Sequence, residues 1–226
     1  MSTSTKPLVF YTAKITPNGH QVSVLLEELK AAYPGGNTDY DLEIINMGLG
    51  TQKEPWFLKL NPNGRIPVLV DRSQDNFAVF ESSAILLYLA QQYDKDHKFW
   101  FNPSTNLKEH SEMMQWMFFT HGGIDPMQGQ SNHFRHFAPI PYARDYFLDE
   151  TKRCYGVLEI RLADRDYLAG EGKGKYSLAD IKTFPWVRLH AFTGIETLDE
   201  WPNVKAWVRR CEAREGAQAG INLGRT

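Results

Sequence analysis

Apolar positions along the chain fall into two regimes. Up to about residue 93 short runs alternate with helix-spaced sets. LVFY at 8–11 suits a short buried strand, whereas Val22, Leu25, Leu26 and Leu29 recur at the three- and four-residue spacing of a helix face. Thr16 stands where an N-cap belongs and Pro17 at the first helical position, and Gly35-Gly36 closes the unit. DLEII at 41–45 predicts a second strand, followed by a polar loop with Gly48 and Gly50 and a short helix in EPWFLKL at 54–60. After the turn signal Asn61-Pro62-Asn63-Gly64, the runs RIPVLVD and NFAVFE predict two strands in a hairpin across SQDN. Pro67 has no amide hydrogen for a central ladder, which marks Ile66-Pro67 as special and predicts a cis bond. From Ser82, the positions Ile85, Leu86, Leu89 and Tyr93 predict another helix. The order is β-α-β-α-β-β-α.

Beyond the linker YDKDHKFWFNPST the alternation stops and long helical patterns take over, at about 105–121, 139–166, 177–192 and 202–214, with no convincing strand. Length allows one large domain or two small ones. The change of pattern favours an α/β domain at 6–93 and an all-helical domain at 104–219. The only low-complexity stretch, GEGKGK at 170–175, lacks the Ser or Thr that a phosphate loop places after its lysine and reads as a solvated loop.

Composition removes several function classes. Twenty-five basic against 27 acidic residues leave a formal net charge of −2, with no basic patch to bind nucleic acid or a membrane surface. No apolar run approaches the roughly 20 residues of a membrane span, and MSTSTKP reads as a short disordered lead-in of a cytoplasmic chain. Cys154 and Cys211 lie far apart in helical patterns, so they predict packing residues, with neither a disulfide framework nor a redox pair. Any thiol chemistry must use a thiol from elsewhere. His133 and His136 have no third ligand at compatible spacing, so no metal is expected.

The strand-to-helix turn Thr16-Pro17-Asn18-Gly19 is a place where a helix N-terminus can grip an anion, and it serves equally as a plain cap with proline at N1. The β-α-β-α-β-β-α order, with a proline opening the third strand, is the thioredoxin-like arrangement. NPNGRIPVLVD followed by FESSAILLYLA resembles the glutathione-binding half of glutathione transferases. TPNGHQVSVLLEEL narrows the resemblance to the Nu-class branch, whose relatives include the transferase-like domain of the yeast nitrogen-regulating prion protein and bacterial glutathione-dependent disulfide reductases. The likeness continues through WMFFTHGGIDPMQGQSNHF, ETKRCYGVLEIRL and YSLADIKTFPWV, nearly the whole chain.

The resemblance implies a set of roles. Thr16 and Asn18 are carried over as the residues that contact the bound sulfur, and donors at a helix N-terminus do favour a thiolate. Glu81 suits the ammonium of glutathione, while Ser82 and the amides after it suit the γ-glutamyl carboxylate; the pair also reads as a cap. Ile66, held before Pro67, can pair its backbone with the cysteinyl backbone. Gln52 and Lys53 match positions that hold the glycyl carboxylate, though alone they are ordinary loop surface. Tyr11 falls before the contact residues and reads as core. Trp116, Phe119, His133 and Phe134 are candidates for an apolar electrophile pocket, in which Gly122-Gly123 would break a helix into an irregular wall; core packing explains the aromatics as well. Ser177 to Asp180 is a capping box that nucleates the helical domain.

The function implied is a cytoplasmic homodimeric enzyme using glutathione, one or two molecules at a time, to reduce small disulfides, with weaker conjugating or peroxide-reducing activity. Two alternatives stay open: a conventional transferase that conjugates glutathione to hydrophobic electrophiles, and a glutathione-binding regulator or ligand carrier. The chain lacks a long Asn/Gln-rich extension, which weakens the last.

Overall fold

The computed structural model describes residues 6–224, so the lead-in through Thr5 lies outside the described residues. The chain divides into two compact units: one comprises the residues up to Asp96 together with those from Arg214 onward, and the other is His97–Ala213.

The first unit is built on a four-stranded sheet in the order β2-β1-β3-β4. β1 (Leu8–Thr12) runs parallel to β2 (Tyr40–Ile44) and antiparallel to β3 (Val68–Asp71), which pairs antiparallel with β4 (Phe77–Phe80). The helices are α1 (Pro17–Ala32), α2 (Pro55–Leu58) and α3 (Ser82–Tyr93). Strand alternation sends Val9, Val68 and Val70 to one face, where they bury Phe57 of α2 and Ile45. The intervening Leu8, Phe10 and Leu69 are fully buried, as are Leu25, Leu26 and Leu29 of α1 and Ile85, Leu86 and Leu89 of α3. Both faces of the sheet are thus covered, and the reading of two helix-spaced apolar sets holds.

The Ile66–Pro67 peptide is cis, as expected from its place before β3. A further helix, α10 (Glu215–Ile221), packs on α1. The sequence pattern does not reveal it.

The second unit is helical: α4 (Leu107–Phe119), α5 (Asp125–His136), α6 (Pro141–Arg161), α7 (Leu178–Val187), α8 (His190–Thr193) and α9 (Pro202–Glu212). The expected break at the glycine pair is absent. Gly122-Gly123 does not open an irregular wall, because α4 passes through a π-helical turn at Thr120–Ile124 directly into α5. Two glycines weaken a helix by about 1 kcal/mol each. Buried Ile124 and the Thr120 hydroxyl, 2.6 Å from that of Thr183 in α7, hold the turn in place. The capping box at α7 is present: the Ser177 amide donates to Asp180 Oδ2 at 3.0 Å.

Candidate functional site

The sheet register gathers the candidate residues. Tyr11 pairs with Val68, and Val68 with Phe80, so one row crosses β1, β3 and β4. One step beyond that row lie Thr12, Pro67 and Glu81, at the same end of the sheet. The turn at Thr16 follows Thr12, Ile66 precedes Pro67, and Ser82 opens α3 after Glu81. Thr12 pairs with Ile44 of parallel β2, so the strand that leads toward Gln52 leaves the sheet at this end as well.

At the turn, proline restricts the residue before it to extended backbone, and Thr16 has φ −149° and ψ 126°. Its side chain makes no capping bond to α1, although the His20 amide reaches the Thr16 carbonyl at 2.9 Å. Thr16, Pro17 and Asn18 are part-exposed. Gly19 is required by close approach: a Cβ there would stand 2.1 Å from Thr12 Oγ1. The first turn of α1 is therefore seated on the end of β1.

The loop before β3 is organised by Asn61, only 2% exposed. Its side-chain oxygen accepts from the Asn63 amide at 3.0 Å, its side-chain nitrogen donates to the Arg65 carbonyl at 2.7 Å, and its own carbonyl accepts from Gly64. Gly64 has φ +61°, and a Cβ on it would come within 2.9 Å of both the Gln52 carbonyl and Lys53 Nζ. Lys53 Nζ donates to the Asn63 carbonyl at 3.1 Å. Gln52 and Lys53 thus lie against the loop that presents Ile66. Gln52 Oε1 is a buried acceptor with no hydrogen-bond partner, an arrangement that demands a reason in a folded protein.

Glu81 is the N-cap of α3 at φ 70° and ψ 117°, a region that costs a non-glycine residue of order 1–3 kcal/mol. Ser82, the first residue of α3, is buried. The helix is anchored from behind by Asp71, whose carboxylate accepts from Tyr88 at 2.8 Å, Tyr93 at 2.5 Å and the Ser73 hydroxyl at 2.6 Å. Burial opposes the Asp71 charge, but these donors outweigh it and hold its pKa below the usual value. Tyr11 packs on Trp56 and Phe57, and burial together with nearby Glu43 raises its pKa, so the phenol stays protonated. That is core behaviour, in keeping with its reading from the sequence.

In the helical unit, Trp116 and Phe119 are edge-to-face neighbours at 5.4 Å near the end of α4, with the Arg161 guanidinium over the indole. His133 and Phe134 pair at 5.1 Å on α5, and Phe134 stacks on Phe147 of α6. Each pair is part-exposed or exposed. Both cysteines are buried and neither is in a disulfide. Burial raises the Cys154 pKa, which makes it a packing residue. Among the described residues no group of His, Cys, Asp and Glu side chains is arranged to hold a metal, and no helix is long and apolar enough to cross a membrane.

The model of the glutathione S-transferase N-terminal domain matches residues 16–92, and that of the C-terminal domain matches 140–215. The disulfide-bond oxidoreductase YfcG of Escherichia coli is 40% identical over 205 residues, 88% of this chain and 87% of that protein. The chain belongs to the glutathione S-transferase family. Among solved structures of the family, a glutathione transferase homologue from Lodderomyces elongisporus, crystallised with two glutathione molecules per subunit, matches with a TM-score of 0.87 and 32% identity, covering 97% of this chain and 99% of that one. The transferase URE2P6 of Phanerochaete chrysosporium, in complex with oxidised glutathione, matches with a TM-score of 0.85 and 33% identity over 96% and 95% of the two chains.

In this transferase the N-terminal match begins at Thr16 and takes in Gln52, Lys53, Ile66, Pro67, Glu81 and Ser82. Trp116, Phe119, His133 and Phe134 fall in the gap before residue 140. Gly19, Asn61 and Asp71 also shape the site. Gly19 and Asn61 stand inside the quoted TPNG and NPNG turns, and Asp71 ends RIPVLVD, so their identities were visible while their partners were not.

Proposed function

We propose that the chain is a glutathione-dependent disulfide-bond reductase in which glutathione supplies the reacting thiol, with conjugation and peroxide reduction as weaker activities. The observation that carries this reading is the convergence of the TPNG turn, Ile66–Pro67 and Glu81-Ser82 on one end of the sheet, with no cysteine there. A site built without its own nucleophile must borrow one. The name of the bacterial relative and the oxidised glutathione in the fungal structure support a disulfide substrate.

Glutathione presents an extended backbone, two carboxylates and an ammonium. Ile66 offers backbone groups beside Pro67 for a short antiparallel pairing with the cysteinyl residue. The amides opening α3, together with the Ser82 hydroxyl, take the γ-glutamyl carboxylate, and Glu81 takes the ammonium. Gln52 and Lys53 take the glycyl end. The sulfur then lies at the start of α1, where the Thr16 hydroxyl and Asn18 donate to it. Lowering a thiol pKa of about 8.5 by about two units requires roughly 2.7 kcal/mol, within the combined reach of a helix dipole and two hydrogen bonds.

The bound thiolate attacks one sulfur of the disulfide, forming a glutathione mixed disulfide and releasing the other half as a thiolate, which takes a proton from water. A second glutathione thiolate attacks the mixed disulfide at the glutathione sulfur, forming oxidised glutathione and releasing the second thiol. Two electrons pass from two glutathiones to one disulfide. Trp116, Phe119, His133 and Phe134 of the helical unit are the residues we assign to the second substrate. The assembly is a homodimer, by likeness to the family, and works in the cytoplasm, where cysteines outside any disulfide and the glutathione pool both belong.

The test is the rate of glutathione-dependent reduction of 2-hydroxyethyl disulfide, wild type against Asn18→Ala. Losing one directed donor to the developing charge is expected to lower kcat/KM by about tenfold or more. A wild-type rate equal to the uncatalysed reaction overturns the reductase reading.

A further inference from the structure

The chain ends by returning to the helix that carries the candidate thiol contacts. α10 holds Gly216 and Gly220, four residues apart and so on one face. A Cβ on Gly220 would stand 2.5 Å from the backbone nitrogen and Cα of Val24 in α1, and one on Gly216 would stand 2.9 Å from Glu28 Cα. The two helices therefore meet backbone to backbone, closer than any side chain allows. The Ser23 hydroxyl donates to the Gly220 carbonyl at 2.8 Å. Arg214, just before α10, grips Glu28 through both carboxylate oxygens at 2.6 and 2.8 Å, and Glu28 is only 4% exposed. Beyond the helix, a Cβ on Gly224 would lie 3.4 Å from the Ile44 side chain of β2.

We propose that α10 is a positioning clasp for the thiol end of α1: Gly216, Gly220, Ser23 and the Arg214–Glu28 pair fix the axial and rotational placement of the helix, and through it the placement of Thr16 and Asn18. The proposal rests on the glutathione reading of the TPNG turn. α1 is held at two places along its shaft, near Ser23-Val24 and at Glu28, and at its first turn by Gly19 against Thr12. Ser23 lies within two turns of Asn18, so any displacement of the shaft reaches the first-turn donors. Dipole and hydrogen-bond stabilisation of an anion is confined to that first turn, where an error of about 1 Å is enough to matter. A seven-residue helix has no stability of its own, so α10 is helical because it is docked.

The experiment titrates the ultraviolet absorbance of glutathione thiolate bound to wild type, Gly220→Ala, Ser23→Ala and Asn18→Ala. Far-ultraviolet circular dichroism and melting are recorded on each. Gly220→Ala is expected to raise the bound thiol pKa by about half a unit or more, a threefold loss of thiolate at a pH below both values. Ser23→Ala is expected to raise it less, and Asn18→Ala to raise it directly. A merely structural α10 lowers the melting temperature and leaves the pKa of the folded fraction where it was. Wild-type pKa values in Gly220→Ala and Ser23→Ala beside a raised value in Asn18→Ala overturn the clasp alone. An unchanged value in Asn18→Ala removes the thiol reading of the turn, and the clasp as a positioner of Asn18 falls with it. If Gly220→Ala does not fold, Ser23→Ala decides, since it adds no atom to the contact.

Discussion

Glu81 carries a conformational demand as well as a chemical one. Its φ of 70° is a conformation in which a side chain is a burden, and glycine would relieve it. Its carboxylate is the one we propose for the ammonium of glutathione. The two demands separate by substitution. Glu81→Gln keeps size and backbone while removing the charge; its melting temperature is expected to match wild type and its glutathione Kd to rise by about tenfold, the worth of about 1.4 kcal/mol. Glu81→Gly loses the charge too but is expected to melt at or above wild type. Calorimetric titration beside thermal melting reads both, and a Gln variant that binds as tightly as wild type sinks the ammonium role. What was legible at this scale was side-chain identity: Thr16, Asn18, Glu81 and Ser82 stand in recognisable turns. The backbone strain was not legible, since glutamate gives no signal for positive φ of the kind that glycine or asparagine gives at Gly64 or Asn76.

Elements of the sheet unit were legible because alternation and helix spacing there are short and punctuated by Gly and Pro. The π turn was not, because Gly122-Gly123 is a breaker by propensity and only tertiary partners decide otherwise. Thr183 donates its one hydroxyl hydrogen to the Ala179 carbonyl at 2.7 Å. The contact at 2.6 Å between Thr120 and Thr183 therefore has Thr120 as donor. Both side chains are fully buried. Thr183→Val removes the acceptor without changing shape and is expected to cost about 1–3 kcal/mol by stranding the Thr120 hydroxyl. Adding Thr120→Val is expected to recover much of that loss. Urea unfolding of the two single variants and the double variant measures the coupling, and strictly additive losses would remove the pair as the brace of the turn.

Across the whole chain, the hardest feature to foresee was that residues after 213 join the first unit, because contacts such as Ser23 to Gly220 span 197 positions and leave no local pattern. Asp180 shows the opposite case, a legible capping motif whose reach exceeded its motif. Besides the Ser177 amide it accepts from the Leu168 amide at 3.0 Å and the Trp207 indole at 2.8 Å, joining three segments of the helical unit. Burial outweighs these donors and pushes its pKa up to about 6. A carboxyl whose folded value lies above its unfolded value of about 3.9 holds its proton more tightly when folded. Its contribution to stability is complete below that unfolded value and is lost as pH rises through about 6. Asp71 runs the other way, its contribution present above the unfolded value and lost as pH falls below it. Stability measured by urea unfolding is therefore expected to fall between pH 4.5 and 6.5 by an Asp180 share of order 1–3 kcal/mol. Asp180→Asn abolishes that share and, by turning an amide nitrogen toward buried N–H donors, lowers stability throughout. Asp180→Ala is expected to cost about 1 kcal/mol or more even at pH 7, because three buried donors lose their acceptor. Neither variant touches glutathione affinity in the folded fraction. If Asp180→Asn keeps the wild-type slope over this window, the titrating group lies elsewhere.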